Sequence, residues 1–313
     1  MGEGMSATDI PANEAAPTRA GFVALIGAPN AGKSTLLNAV VGSKVSIVTH
    51  KVQTTRALVR GIVIHKSSQI IFVDTPGIFS PKRRLERAMV TTAWGGAADA
   101  DVIALLVDAK RGLKEEDRAI LAQLAQFPAG RARVLILNKV DIVKRDTLLA
   151  LAKEANEAAP FSETFMLSAL TGDGLPYLLD FLAAAMPESH YLYPEDQMTD
   201  LPLRFLAAEI TREKLTLRLH DELPYRSTVE TEKWTETPKG VRIDQTIYVE
   251  RDTQRKIVLG KSGATIKAIS IAAREEISKL IEKPVHLFLF VKVRKNWSDD
   301  PERYREMGVE FPR

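Results

Sequence analysis

The chain has 313 residues, enough for about two domains, and its 45% hydrophobic and 27% charged residues exclude a fibrous or wholly disordered protein. It contains no cysteine, which excludes disulfides and thiolate metal sites, and the longest apolar runs, such as 285–293, fall short of the ~18–20 residues of a spanning helix. The formal net charge of +3 is too small to name a partner.

Residues 1–19 are rich in Ala, Pro, Thr and Glu with no apolar stretch, which predicts a disordered lead-in. Runs at 22–26, 70–73, 102–107, 134–137 and 164–167 read as buried strands, with a further strand at 59–64 close enough to 70–73 for a hairpin. Between them, 36–41, 114–126, 147–158 and 175–185 carry helical spacing or helix formers. This alternation predicts an α/β domain over 20–186, a mostly parallel sheet with helices on both faces. Pro187, Pro194 and Pro202 punctuate a linker over 187–202. The order then changes over 203–313: a helix at 203–218, strands at 225–234, 241–249 and 256–259, helices at 264–268 and 271–281, a strand at 285–293 and a short helix near 302–306. That is the pattern of a smaller α+β domain.

The first strand runs into Gly27-Ala28-Pro29-Asn30-Ala31-Gly32-Lys33-Ser34, a complete phosphate-binding loop of the form G-x-x-x-x-G-K-S. Its glycines let backbone N–H groups turn toward phosphate oxygens, and the helix that begins here adds its positive end. Lys33 supplies a cation to the β- and γ-phosphates, Ser34 a hydroxyl for magnesium, and Thr35 the next turn of the cradle. Downstream, Asp74-Thr75-Pro76-Gly77 ends a strand. Asp74 can hold magnesium through water, and the Gly77 N–H can meet a γ-phosphate.

The base selector is Asn138-Lys139-Val140-Asp141. An ionised Asp141 accepts from N1–H and the 2-amino group of guanine together, and adenine offers neither, so such a site discriminates by ~10⁴ or more. Asn138 is expected to bond the base's far edge and brace the phosphate loop, with Lys139 over the ring. Ser168-Ala169-Leu170 follows the next strand, and the Ala169 N–H is expected to meet guanine O6. Together these segments resemble those of the translation-factor-related GTPases. The resemblance places a threonine switch on Gln53-Thr54-Thr55-Arg56 and implies that Thr54 or Thr55 reaches magnesium when GTP is bound. Ile78 stands where Ras-like proteins carry a glutamine, and an aliphatic chain cannot orient water, so slow intrinsic turnover is expected. Related GTPases with Asn at the position of Asn30 can recruit potassium.

The C-terminal segment 203–313 holds 22 Lys+Arg against 18 Asp+Glu, and within 239–295 the balance is 13 to 6. That excess favours a polyanion. It surrounds Gly260-Lys261-Ser262-Gly263, a G-x-x-G clamp for about four nucleotides of single-stranded nucleic acid, with Lys267 also in reach of phosphates. Apolar residues at 266, 269, 273, 277 and 280 put a helical core face directly after it. The helix–strand–strand–helix–helix–strand order resembles a type II KH domain, although Gly is usual where Ser262 stands. With both halves considered, the chain from about Gly21 onward resembles the Era family of bacterial ribosome-assembly GTPases.

That resemblance implies a GTP-binding, GTP-hydrolysing switch using GTP/GDP and Mg²⁺, with K⁺ as a further ion. It implies binding to the 3′ end of small-subunit (16S) ribosomal RNA during 30S subunit maturation. It also implies a monomeric, cytoplasmic protein with part of it peripheral on the inner membrane face. The rival expectation is a nucleotide-stabilised ribosome-binding scaffold with negligible hydrolysis.

Overall fold

The computed structural model describes residues 17–51, 54–81, 83–128, 130–220, 223–295, 297, 300, 301, 304, 309 and 311. Its N-terminal half runs β1 (Arg19–Ile26), α1 (Lys33–Val41), β2 (Val59–His65), β3 (Ser68–Asp74), α2 (Arg84–Asp99), β4 (Val102–Asp108), α3 (Glu115–Ala125), β5 (Ala132–Asn138), α4 (Arg145–Ala158), β6 (Glu163–Leu167) and α5 (Leu175–Ala185). The strands form one sheet in the order β2-β3-β1-β4-β5-β6, parallel throughout except for the β2–β3 hairpin. β3 is buried along its whole length and β4 along nearly all of it, as strands covered on both faces must be. Leu36 and Leu37 of α1 and Leu178 and Leu182 of α5 pack one face, while Ala93, Ile120, Leu121, Leu151 and Ala155 of α2, α3 and α4 pack the other.

The second half runs α6 (Leu203–Arg218), β7 (Ser227–Thr237), β8 (Gly240–Val249), α7 (Asp252–Leu259), α8 (Ala264–Ile281) and β9 (Val285–Val293). β7 and β8 pair antiparallel and β8 and β9 parallel. Leu206 and Ile210 of α6 and Ala273 and Ile277 of α8 bury against Ile243 and Leu287 on one side of this small sheet.

Four expectations are corrected. The segment 84–99, unassigned in sequence, is the helix α2; Thr91-Thr92 and Gly95-Gly96 lower its local helix propensity, and burial of Met89, Ala93 and Ala97 outweighs that. The 256–259 run is the last turn of α7 rather than a strand, because a short apolar run does not declare its period. The two helices at 264–268 and 271–281 are one, α8. Finally, Thr18 and Arg19 are not a lead-in: Arg19 opens β1, and Thr18 exchanges hydrogen bonds with Ser189 at 2.9 and 3.0 Å. Residues 1–16 lie outside the described residues, as does most of the short helix expected at 302–306, of which Tyr304 is described as helical.

The proline-marked connection is held against the sheet. Ala20 N–H donates to Pro187 O at 3.1 Å, Gln69 Oε1 accepts from the N–H groups of Leu192 and Tyr193, and Ile62 N–H donates to Met198 O at 2.9 Å. Direct contacts also join the halves. Leu85 and Met89 of α2 share a buried cluster with Trp297, Tyr304 and Val309. Lys44 pairs with Glu213 of α6 at 2.7 Å and also with Glu276 of α8.

Candidate functional site

The sequence-derived nucleotide residues converge at the C-terminal ends of β1, β3, β5 and β6, the edge at which open α/β sheets bind ligands. Gly27 has φ +148° and Gly32 φ +101°; a Cβ would lie 2.4 Å from Leu106 O at the first and 2.2 Å from Asn138 Nδ2 at the second. Glycine is therefore required at both by backbone conformation and by space. Lys33 is buried, with Nζ donating to Gly27 O at 3.0 Å and Ala28 O at 3.2 Å. Burial lowers its pKa to about 8, against a partial opposing pull from the Asp74 charge. A cavity of about 320 Å³ opens above the loop, lined by Asn30, Lys33, Ser34, Thr35, Thr55 and Gly77 among others.

At the floor of this region three oxygens meet. Asp74, fully buried at the end of β3, accepts from Ser34 Oγ at 2.6 Å through Oδ2, and Ser34 Oγ lies 2.9 Å from Thr55 Oγ1. Ser46 Oγ, which no motif singled out, donates to the same Oδ2 at 2.9 Å. Asp74 Oδ1 is buried with no hydrogen-bond partner. Burial raises the Asp74 pKa, opposed by Lys33 and by these hydroxyls. Two hydroxyls and a carboxylate with an unpartnered oxygen form a hard oxygen donor set that fits Mg²⁺. Of the two switch threonines, Thr55 faces Ser34 and Asp74, whereas Thr54 Oγ1 is 2.6 Å from Thr49 Oγ1 and 2.7 Å from Lys51 O. Gln53 lies outside the described residues.

Ile78 is buried with the hydrophobic cluster of α2, α3 and α4, and its N–H donates to Gly27 O at 3.0 Å. It is not among the residues that line the cavity. Asn30 adopts φ +64° and its Nδ2 donates to His50 O at 3.0 Å, tying the loop to the segment before the switch.

Asn138 is buried and turned to the protein: Nδ2 donates to Ala31 O at 2.9 Å, and Oδ1 accepts from Lys139 N–H at 2.8 Å and Ala169 N–H at 3.0 Å. It braces the phosphate loop as expected, but the Ala169 N–H assigned to the base is bonded to Asn138. Lys139, in left-handed backbone, donates through Nζ to Asn30 O at 2.9 Å and pairs with Asp108 at 2.6 Å. Asp108 was missed in the sequence; its position at the C-terminal end of β4 was the available signal. Asp141 is exposed in a single 3₁₀ turn, Ser168 is buried, and Leu170 is 81% exposed.

The second candidate site lies between α7 and α8. Gly260 has φ +73°, and a Cβ there would lie 2.2 Å from Thr265 Oγ1; Gly263 has φ +77°. Lys261, Ser262 and Lys267 are exposed around this turn. Ser262 itself is left-handed at φ +52°. Beside the turn, Arg218, His220, Arg251 and Thr265 line a basic pocket of about 380 Å³ that sequence reasoning did not find. Trp297 is a packing residue, 1% exposed with Nε1 donating to Arg226 O at 3.1 Å.

Residues 22–139 match the family described as 50S ribosome-binding GTPase, and residues 222–298 match the KH domain. The protein GTPase Era of Mesorhizobium japonicum is 68% identical over 306 residues, covering 97% of this chain and 98% of that protein. GTPase Era of Rhizobium meliloti is 66% identical over 300 residues, covering 96% and 95%. Among solved structures, a variant of Era from Aquifex aeolicus bound to GDP·AlF4⁻ superposes with a TM-score of 0.87 at 38% identity, covering 93% of this chain and 99% of that one. An Era complex with MgGDPNP and nucleotides 1506–1542 of 16S ribosomal RNA matches with the same score, identity and coverage.

Proposed function

The chain belongs to the Era family of GTPases, and from that premise we propose a GTP-driven switch whose second domain clamps the 3′ end of 16S ribosomal RNA during maturation of the 30S subunit. It hydrolyses GTP to GDP and phosphate, and the scaffold without hydrolysis is not favoured. The observation that carries the switch reading is the convergence of Ser34 and Thr55 on Asp74 Oδ2 beneath the phosphate loop, with Asp74 Oδ1 buried and unpartnered.

In this reading the backbone N–H groups of Asn30–Lys33 bind the phosphates, Lys33 exchanges its two carbonyl partners for β- and γ-phosphate oxygens, and the Gly77 N–H meets the γ-phosphate. Ser34, Thr55 and Asp74 would hold Mg²⁺, which when bound supplies positive charge to the β- and γ-oxygens. Ile78 is aliphatic and buried and offers no group to orient water, so intrinsic turnover should be slow. Asp141 selects guanine over adenine once the base enters the open end of the site. Asn30 is the residue that would recruit potassium; an unchanged rate on replacing potassium by sodium at fixed ionic strength would remove that role.

The exposed Gly260–Gly263 turn, with Lys261 and Lys267 beside it, takes single-stranded RNA against its backbone. Support for the RNA itself comes from the Era complex with a 16S fragment. The protein works as a cytoplasmic monomer in this reading; among the described residues no helix is long and apolar enough to cross a membrane. Peripheral attachment is tested by vesicle flotation.

The deciding experiment has two arms. Nucleotide selectivity of the wild type and Asp141→Asn should show a GTP preference of ~10⁴ that collapses in the variant. Crosslinking to cellular RNA should map contacts to the 3′ end of 16S ribosomal RNA. A protein that prefers ATP, or whose crosslinks lie elsewhere, would refute the corresponding half.

A further inference from the structure

Thr55 is bracketed by two arginines exchanged between the domains. On one side, the Thr54 carbonyl accepts from Arg212 Nη2 on α6. This guanidinium is 2% exposed and is oriented by Glu209, through Nε at 2.7 Å and Nη2 at 2.5 Å. On the other side Arg56 reaches the opposite way. Its Nη1 donates to Ser227 O and its Nη2 to Pro224 O, both at 2.9 Å, and its guanidinium carbon lies 5.7 Å from the Trp297 ring centre. Arg56 is also buried, and desolvation, with Arg212 adding to it, lowers its pKa to about 9. The next residue on α6, Glu213, is buried too; it accepts from Val48 N–H at 2.9 Å and pairs with Lys44.

Burying charged groups is costly unless their partners are well placed. Here the partners of two consecutive charged residues on α6 include backbone groups of one loop, at Val48 and Thr54. That loop presents Thr55 Oγ1 to Ser34 and Asp74.

We propose that Arg212 and Arg56 are positioning residues for Thr55, so that the C-terminal domain in its docked place holds the switch in its GTP-binding form. This rests on the nucleotide site described above. A shift of α6 that withdraws Arg212 from Thr54 frees Thr55, which weakens the GTP complex; GDP lacks the γ-phosphate that orders the switch and is spared.

The test uses full-length Arg212→Ala, Arg212→Lys and Arg56→Ala proteins. Affinities for GDP and for a non-hydrolysable GTP analogue are measured across a Mg²⁺ series, with amide exchange followed over 45–57. In Arg212→Ala, affinity for the GTP analogue should fall about ten- to hundredfold, the loss of a charge-assisted hydrogen bond, while GDP affinity stays within about twofold. Exchange protection over 45–57 should drop. Arg56→Ala should shift the same way, and Arg212→Lys, which keeps charge without the planar fork, should be intermediate. Equal weakening of both nucleotides, or a wild-type ratio in Arg212→Ala, overturns the proposal. Should that variant not fold, a wild-type ratio in Arg212→Lys does the same. A wild type that binds neither guanine nucleotide would sink the site reading itself, and this proposal with it.

Discussion

The tripeptide Gly-Lys-Ser occurs at Gly32-Lys33-Ser34 and again at Gly260-Lys261-Ser262, with opposite outcomes. In the first, Lys33 is 6% exposed and bonded to two carbonyls, and Ser34 lies against a buried carboxylate. In the second, Lys261 and Ser262 are both exposed, and Ser262 strains into the left-handed region. The chemistry of the residues is the same; the neighbourhood differs. In the proposed function the buried sheet edge beneath Lys33 would serve one particular anion, whereas the helix ends beneath Lys261 would serve any chain of phosphates, with sequence read elsewhere.

That contrast can be broken at four points. Lys33→Ala should lower kcat/KM for GTP by roughly a thousandfold, the scale of removing a charge that stabilises a transferring phosphoryl group; a small effect in a steady-state assay would place the two lysines in one class. Next comes pH. Because the ligand-free Lys33 amine has a pKa of about 8, binding phosphate above that value requires uptake of a proton. Nucleotide affinity should therefore fall about tenfold per pH unit above pH ~8, measurable as proton uptake by calorimetry in two buffers. The sign for folding is opposite. The unfolded lysine at 10.5 keeps its proton longer than the folded one at about 8, so this group makes the ligand-free protein more stable as pH rises across that window. Lys261→Ala should weaken RNA binding only severalfold, evenly across sequences, and reduce the slope of log affinity against log salt by about 1; filter binding at several salt concentrations checks it. Smallest is Ser262→Gly, which relieves a left-handed serine and should stabilise the C-terminal domain by about 1 kcal/mol in chemical denaturation.

Much of this molecule was legible because its chemistry is local. The phosphate loop, Asp74-Thr75-Pro76-Gly77 and Asn138-Lys139-Val140-Asp141 each declare themselves within a few residues, and the strands that carry them are apolar enough to read. Local signals failed where tertiary burial decided the outcome: α2 with its Gly95-Gly96 pair, and α7 with its three-residue apolar end. Contacts at long sequence separation left no local signal. Nothing near Thr55 announces Arg212, and nothing near Asp74 announces Ser46. The Asn138 side chain shows the same limit, since its brace on the phosphate loop was legible while its bond from the Ala169 N–H was not.

The course of the 187–202 segment along β2 has a consequence for solubility. β2 is the outermost strand, and an open strand of this kind is a template on which other chains can add. Met198 occupies the Ile62 donor, and Thr199 bridges to Gly61 and donates to Arg60 O, so the molecule caps its own border with its own backbone. Replacing this stretch with an untethered spacer of equal length would uncap that border and invite self-association, even with both halves correctly folded.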